Sequence, residues 1–100
     1  MIIYLSGPMT GIEENNYPAF NKLAKNLREG GHSVINPTEV TPPAVDNWNE
    51  WMKVSLKAMM DADAILLMTG WEKSKGAVLE NFIAEMLEYK IIRLDENGGF

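Results

Sequence analysis

The chain has 100 residues, 46% of them hydrophobic and 23% charged, and a net charge of −5. That composition supports one small folded domain over residues 1–100 and excludes a disordered chain. It also argues against a general nucleic-acid polymer binder, which needs a basic face, but not against a small nucleotide as ligand.

There is no cysteine and the only histidine is His32, so disulfides, thiolate metal sites and multi-histidine metal sites are excluded. Asp61 and Asp63 have the look of a metal pair, but Asp63 reads as an acid that caps or flanks a strand; no metal and no cofactor is expected. No apolar run approaches the roughly 18 residues of a membrane span. The opening MIIYLSG lacks a basic leader segment, so the expectation is a cytoplasmic protein with no membrane partner.

The run IIYLSG (2–7) is short, apolar and β-rich, and predicts a buried strand ending in a small-residue turn. PMTGIEENN follows as a loop. YPAFNKLAKNLREGG then predicts a helix, with Asn16 as N-cap and Pro18 in the first turn. Phe20, Leu23, Ala24 and Leu27 give it an i, i+3, i+4, i+7 apolar face, and Gly30-Gly31 stop it. HSVINP (32–37) is a second strand closed by Pro37, with His32 at the turn into it.

Pro42-Pro43 forbid helix in the loop that follows, so the second helix begins near Asp46 or Asn47. On it, Trp48, Trp51, Met52, Ser55, Leu56 and Met59 share one face, which reads as core or subunit interface. ADAILLMTG (62–70) is the most apolar segment and predicts a central strand. A third helix spans about 76–89, with Leu79, Phe82, Ile83, Met86 and Leu87 as its apolar stripe. KIIRL (90–94) is a last strand, and DENGGF (95–100) a frayed tail.

Strands alternating with amphipathic helices imply an α/β fold: a small flavodoxin-like (Rossmann-like) parallel sheet with helices on both faces. Ligands on such sheets bind beyond the carboxyl ends of the strands. That rule selects the loop 6–11, with Ser6, Gly7, Met9, Thr10 and Gly11, and the loop 70–76, with Trp71, Ser74 and Gly76.

Glu80 lies just past the second loop, about 100° around the helix from Leu79, at the margin of the stripe. It is either an acid favoured by the helix dipole or a carboxylate turned toward the strand ends. Ser74 and Gly76 suit an anion at the helix start, or cap and turn the chain there. Trp71 stacks on a base or covers the core, and Tyr4 is either a core aromatic or a hydroxyl at the site. Lys73 and Lys75 are solvated unless an anion draws them in.

IYLSGPMTG, GHSVINP, DADAILLMTGW and the S-x-G-x-x-x-E turn and helix, in this order, resemble the nucleoside 2-deoxyribosyltransferase-like superfamily. The resemblance covers nearly the whole chain and is greatest to short, phage-associated members. It implies cleavage or transfer at the N-glycosidic bond of a deoxynucleoside or its 5′-monophosphate. Glu80 would be the nucleophile, Tyr4 would hold it, and Ser74 would contact a phosphate. It also implies a homodimer or higher homo-oligomer.

This chain departs from that family at one telling position. Catalytic members carry an Asp-Leu pair eight residues before the aspartate that opens the third strand; counting back from Asp63 gives Ser55-Leu56. A hydroxyl does not replace a carboxylate. The loop after the first strand is also reduced to Pro8, Met9 and Thr10, without the usual charges. Three expectations therefore compete: an N-glycosidic hydrolase or 2-deoxyribosyltransferase, a silent nucleotide-binding or sequestering protein, and an oligomeric interaction module.

Overall fold

The computed structural model describes residues 1–94; the expected frayed tail, 95–100, lies outside the described residues. Strands β1 (Ile2–Ser6), β2 (Ser33–Ile35), β3 (Ala64–Leu67) and β4 (Lys90–Arg93) alternate with helices α1 (Tyr17–Glu29), α2 (Trp48–Met59) and α3 (Lys75–Met86). Every pairing is parallel and the strand order is β2-β1-β3-β4, the arrangement expected of a small flavodoxin-like sheet. No helix among the described residues is long and apolar enough to cross a membrane.

Alternation along the strands divides the core. Ile3 and Leu5 of β1, with Ala64 and Leu66 of β3, face Phe20, Ala24 and Leu27 of α1. Tyr4, Ile65 and Leu67 face the other way, toward Met59 of α2 and Ala84 of α3. Central β3 is buried on both faces, which is why its run is continuously apolar. Its strand is shorter than the apolar segment: 62–63 and 68–70 lie outside it. Asp63 flanks it and ties down the sheet edge, its Oδ1 accepting from the Ile2 N–H at 2.9 Å.

α1 ends as its glycines require. Gly31 is left-handed at φ 92°, while the Gly31 and His32 N–H groups donate to the Arg28 and Leu27 carbonyls, a Schellman motif. Its start differs from expectation. Asn16 caps nothing: Glu14, Asn15 and Asn16 are three successive left-handed residues, and the Asn16 amide instead donates to the Pro8 carbonyl at 2.9 Å. α2 starts as predicted, the Asn47 side chain accepting from the Glu50 N–H at 2.8 Å.

α3 departs most from its sequence reading. It ends at Met86, and much of its apolar stripe faces outward: Phe82, Met86 and Leu87 are 58%, 69% and 50% exposed, while Ile83 packs against the core. The residues turned to the sheet are Ala77, Glu80, Asn81 and Ala84. Periodicity identifies an amphipathic helix but not which face meets the sheet. Here small alanines allow close approach and the glutamate finds partners on β1. Asn81 keeps a buried Oδ1 with no hydrogen-bond partner among the described residues, so this inner face is not assembled for stability alone.

Candidate active site

β1 and β3 are neighbours, and the chain leaves them in opposite directions, toward β2 and β4. A crevice therefore opens at their carboxyl ends. Tyr4 and Ser6, two residues apart on β1, point to the same side of the sheet. Glu80 comes down from α3 to meet them. The Tyr4 hydroxyl donates to Glu80 Oε2 at 2.6 Å and the Ser6 hydroxyl to Oε1 at 2.7 Å. Each carboxylate oxygen thus holds one short hydroxyl bond, and all three residues are buried.

Glu80 is accordingly set into the inner face of α3, more deeply than a position at the margin of an apolar stripe implies. Burial raises its carboxyl pKa above the ordinary value, while the bonds from Tyr4 and Ser6 pull the other way. The Tyr4 phenol is pushed well above its ordinary value by burial, by the Glu80 charge and by the bond to it, with the Ser55 hydroxyl opposing. Tyr4 is therefore a neutral donor at physiological pH. No cation pairs with Glu80 among the described residues. A buried, unpaired carboxylate costs stability, and such groups concentrate where chemistry needs them.

Glu80 and Tyr4 lie on the wall of a cleft of about 860 Å³. Gly7, Pro8, Met9 and Thr10 form one side of it, following β1. α2 supplies Trp48, Trp51, Met52 and Ser55, and the start of α3 supplies Lys73, Ser74, Lys75 and Gly76. The left-handed turn adds Asn15. Two contacts organise the rim: Lys75 Nζ sits 3.9 Å from the centre of the Trp48 ring, and the Trp51 indole N–H donates to Asp46 Oδ1 at 2.7 Å. The cleft therefore combines a buried carboxylate, flat aromatic surface and cationic side chains, a set that suits a sugar carrying a base or an anion.

The residues singled out from the sequence fall into two groups. Tyr4, Glu80, Gly7, Met9, Thr10, Ser74 and Gly76 line the cleft. Ser6, Gly11 and Trp71 do not. Ser6 sits behind Glu80 and holds it; Gly11 makes a left-handed turn at φ 83°. Trp71 packs on the core cluster around Tyr4 and Ile65, with the Arg93 guanidinium 5.7 Å from its ring centre. Stacking on a ligand from that position has no support in the cleft geometry.

Ser74 caps α3, its Oγ accepting from the Ala77 N–H at 3.2 Å, while still bordering the cleft. Gly7 and Gly76 have packing reasons to be glycine. A Cβ on Gly7 would stand 2.8 Å from Met68 Cβ, and one on Gly76 3.1 Å from Met52 Sδ. Met52 is buried, Trp51 is half-buried and Trp48 is 38% exposed, and all three line the cleft. Sequence reasoning gave no site role to Asn15 or Trp48. Its available signals were the Asn-Asn pair, which tolerates left-handed backbone, and an aromatic in the first turn of a helix that borders the strand ends.

The model of the family described as "Domain of unknown function (DUF4406)" matches residues 1–93. The chain belongs to that family. The match takes in every residue of the DUF4406 cleft described above, from Tyr4 to Glu80. No curated protein matches the chain.

Proposed function

We propose that this DUF4406 protein binds a deoxynucleoside or deoxynucleoside 5′-monophosphate and cleaves or transfers at its N-glycosidic bond, with Glu80 as nucleophile. The observation that carries the reading is the Glu80 carboxylate, buried with no cation partner among the described residues and held by the Tyr4 and Ser6 hydroxyls on the cleft wall. The resemblance to nucleoside 2-deoxyribosyltransferase-like proteins supplies the substrate class.

In this reading a carboxylate oxygen of Glu80 forms a bond to the anomeric carbon as the C–N bond breaks. The bonding pair leaves on the base nitrogen, which takes a proton from water. Water or a second base then attacks the same carbon and frees the carboxylate. A raised pKa makes the Glu80 anion more basic and so a better nucleophile, and the two hydroxyls keep it aimed. Activity should fall with acidification as Glu80 takes up a proton. A cytoplasmic location accords with this substrate class.

Incubation with a panel of deoxynucleosides and their 5′-monophosphates, with free base measured by chromatography, tests the reading. Base release that is abolished by Glu80→Gln supports it; no release from any member of the panel counts against it.

A second reading, a silent nucleotide-binding or sequestering protein, has its own observation. Ser55 lines the cleft beside the Tyr4 hydroxyl, where the resembling enzymes carry a carboxylate. Nucleotide binding by calorimetry without turnover, together with activity gained by Ser55→Asp, would favour it.

A further inference from the structure

We propose that Asp46 selects the base: the cleft takes a deoxynucleoside or its 5′-monophosphate whose base carries an exocyclic amino group, cytosine or adenine, over the counterpart with a carbonyl there, uracil or hypoxanthine. The inference rests on the nucleoside reading of the cleft and adds which base is admitted. Among the described residues, Asp46 and Glu80 are the two carboxylates that line the cleft. Glu80 is buried, with a hydroxyl on each oxygen. Asp46 is exposed, and only its Oδ1 is engaged, accepting from the Trp51 indole N–H at 2.7 Å. Its Oδ2 has no protein partner among the described residues, and neither Lys73 nor Lys75 forms an ion pair with it there. The half-buried indole thus holds the carboxylate in place and leaves one oxygen to a ligand.

The two carboxylates stand at opposite ends of the cleft. Ser55 lies beside the Tyr4 hydroxyl that holds Glu80. Trp48 opens α2 seven residues earlier, about 10 Å away along the helix axis, and Asp46 precedes it. A sugar whose anomeric carbon meets Glu80 therefore sends its base toward Asp46, past the flat surfaces of Trp48 and Trp51. The exocyclic group projects farthest from the sugar, so it is the group that reaches a carboxylate at the far end. A carboxylate oxygen accepts hydrogen bonds and donates none. Opposite an amino group it gains a charge-assisted bond; opposite a carbonyl oxygen it meets like charge and loses water for nothing. Cytosine and uracil, like adenine and hypoxanthine, share a shape and differ in the donors and acceptors of that edge. A divalent cation is the other common ligand of a carboxylate, but no group of three or more potential metal ligands gathers among the described residues.

The test is calorimetry with deoxycytidine against deoxyuridine and deoxyadenosine against deoxyinosine, each also as the 5′-monophosphate. It is run on wild type and on Glu80→Gln, in which no ligand is consumed. In the pair whose size the cleft admits, the amino member should bind at least about tenfold more tightly. Asp46→Asn keeps a carbonyl oxygen for the Trp51 N–H, which leaves the amide N–H2 where Oδ2 was and turns an acceptor into a donor. It should remove the preference or reverse it, with circular dichroism unchanged. Trp51→Phe keeps the carboxylate but releases it, so the preference should shrink without changing sign. Equal affinity within both pairs, preference for the carbonyl member, or a preference that Asp46→Asn leaves intact overturns the proposal, while nucleotide binding and the N-glycosidic reading stand. Binding of none of these ligands by either protein overturns both. An amino preference lost in Asp46→Asn sustains the proposal even where no base is released, the result that sinks the N-glycosidic reading alone.

Discussion

α1 and α3 cover opposite faces of one sheet and are assembled on opposite rules. α1 turns Phe20, Ala24 and Leu27 inward and leaves its charges in water. α3 turns Glu80 and Asn81 inward and leaves Val78, Phe82 and Met86 outside. One helix is organised around burial. The other places a glutamate and an asparagine among its buried residues, brings the carboxylate to the strand ends, and leaves large apolar side chains exposed on its outer side.

The largest expected effect is on the α1 side. Phe20 is fully buried, so Phe20→Ala should cost about 3–5 kcal/mol in urea unfolding, a large part of what a domain this size has. Phe82→Ala, the same change on the exposed outer face of α3, should stay within about 0.5 kcal/mol. Equal losses at the two positions would break the comparison.

Around the carboxylate, Tyr4→Phe removes a hydroxyl from a buried anion and should cost about 1–3 kcal/mol at neutral pH. The loss should shrink in acid, where Glu80 carries a proton. A loss independent of pH would mean that the phenol serves packing alone.

Glu80→Gln should act in the other direction. Because burial raises the folded carboxyl pKa above its unfolded value, the native state holds the proton more tightly. The stability this contributes is complete below the unfolded pKa and is lost as pH rises through the folded one. At neutral pH the amide variant should therefore be more stable than wild type, by about 0.5–2 kcal/mol, the usual range for stabilising substitutions. The gap should close as pH falls toward the ordinary carboxyl range. Thermal unfolding of both proteins across that range checks sign and shape together.

The smallest effect concerns the end of α3. Glu88 occupies the left-handed position after the helix at φ 60°, while the Tyr89 N–H donates to the Ala84 carbonyl. Glycine is free of the Cβ clash there, so Glu88→Gly should stabilise by about 0.5–1 kcal/mol, read as a small rise in Tm. Gly31 already provides this at the end of α1.

The same comparison explains what the sequence revealed. The α1 stripe and its Gly30-Gly31 stop were legible because local pattern and tertiary contact agree there. The α3 stripe was legible as a stripe but not as an outer face, since its orientation depends on hydroxyls contributed from β1, 74 and 76 positions away in the chain. The strand-end rule brought Glu80, Tyr4 and the loop after β1 to one place. It could not show that Trp71 packs on the core with Arg93 beside its ring, or that Asn16 spends its side chain on the Pro8 carbonyl. Both outcomes depend on neighbours distant in sequence or on left-handed backbone, which propensities do not encode.

The central claim is that the Glu80 carboxylate forms a covalent bond to the sugar. A 2-fluoro-arabinosyl nucleoside, whose fluorine slows release of the glycosyl ester, makes that bond observable by mass spectrometry of the intact and digested protein. The account predicts free base in solution and one glycosyl group per chain, on the peptide containing Glu80, with no adduct in Glu80→Gln. Base release from natural deoxynucleosides with the analogue's sugar on another residue, or with no adduct at all, would contradict it.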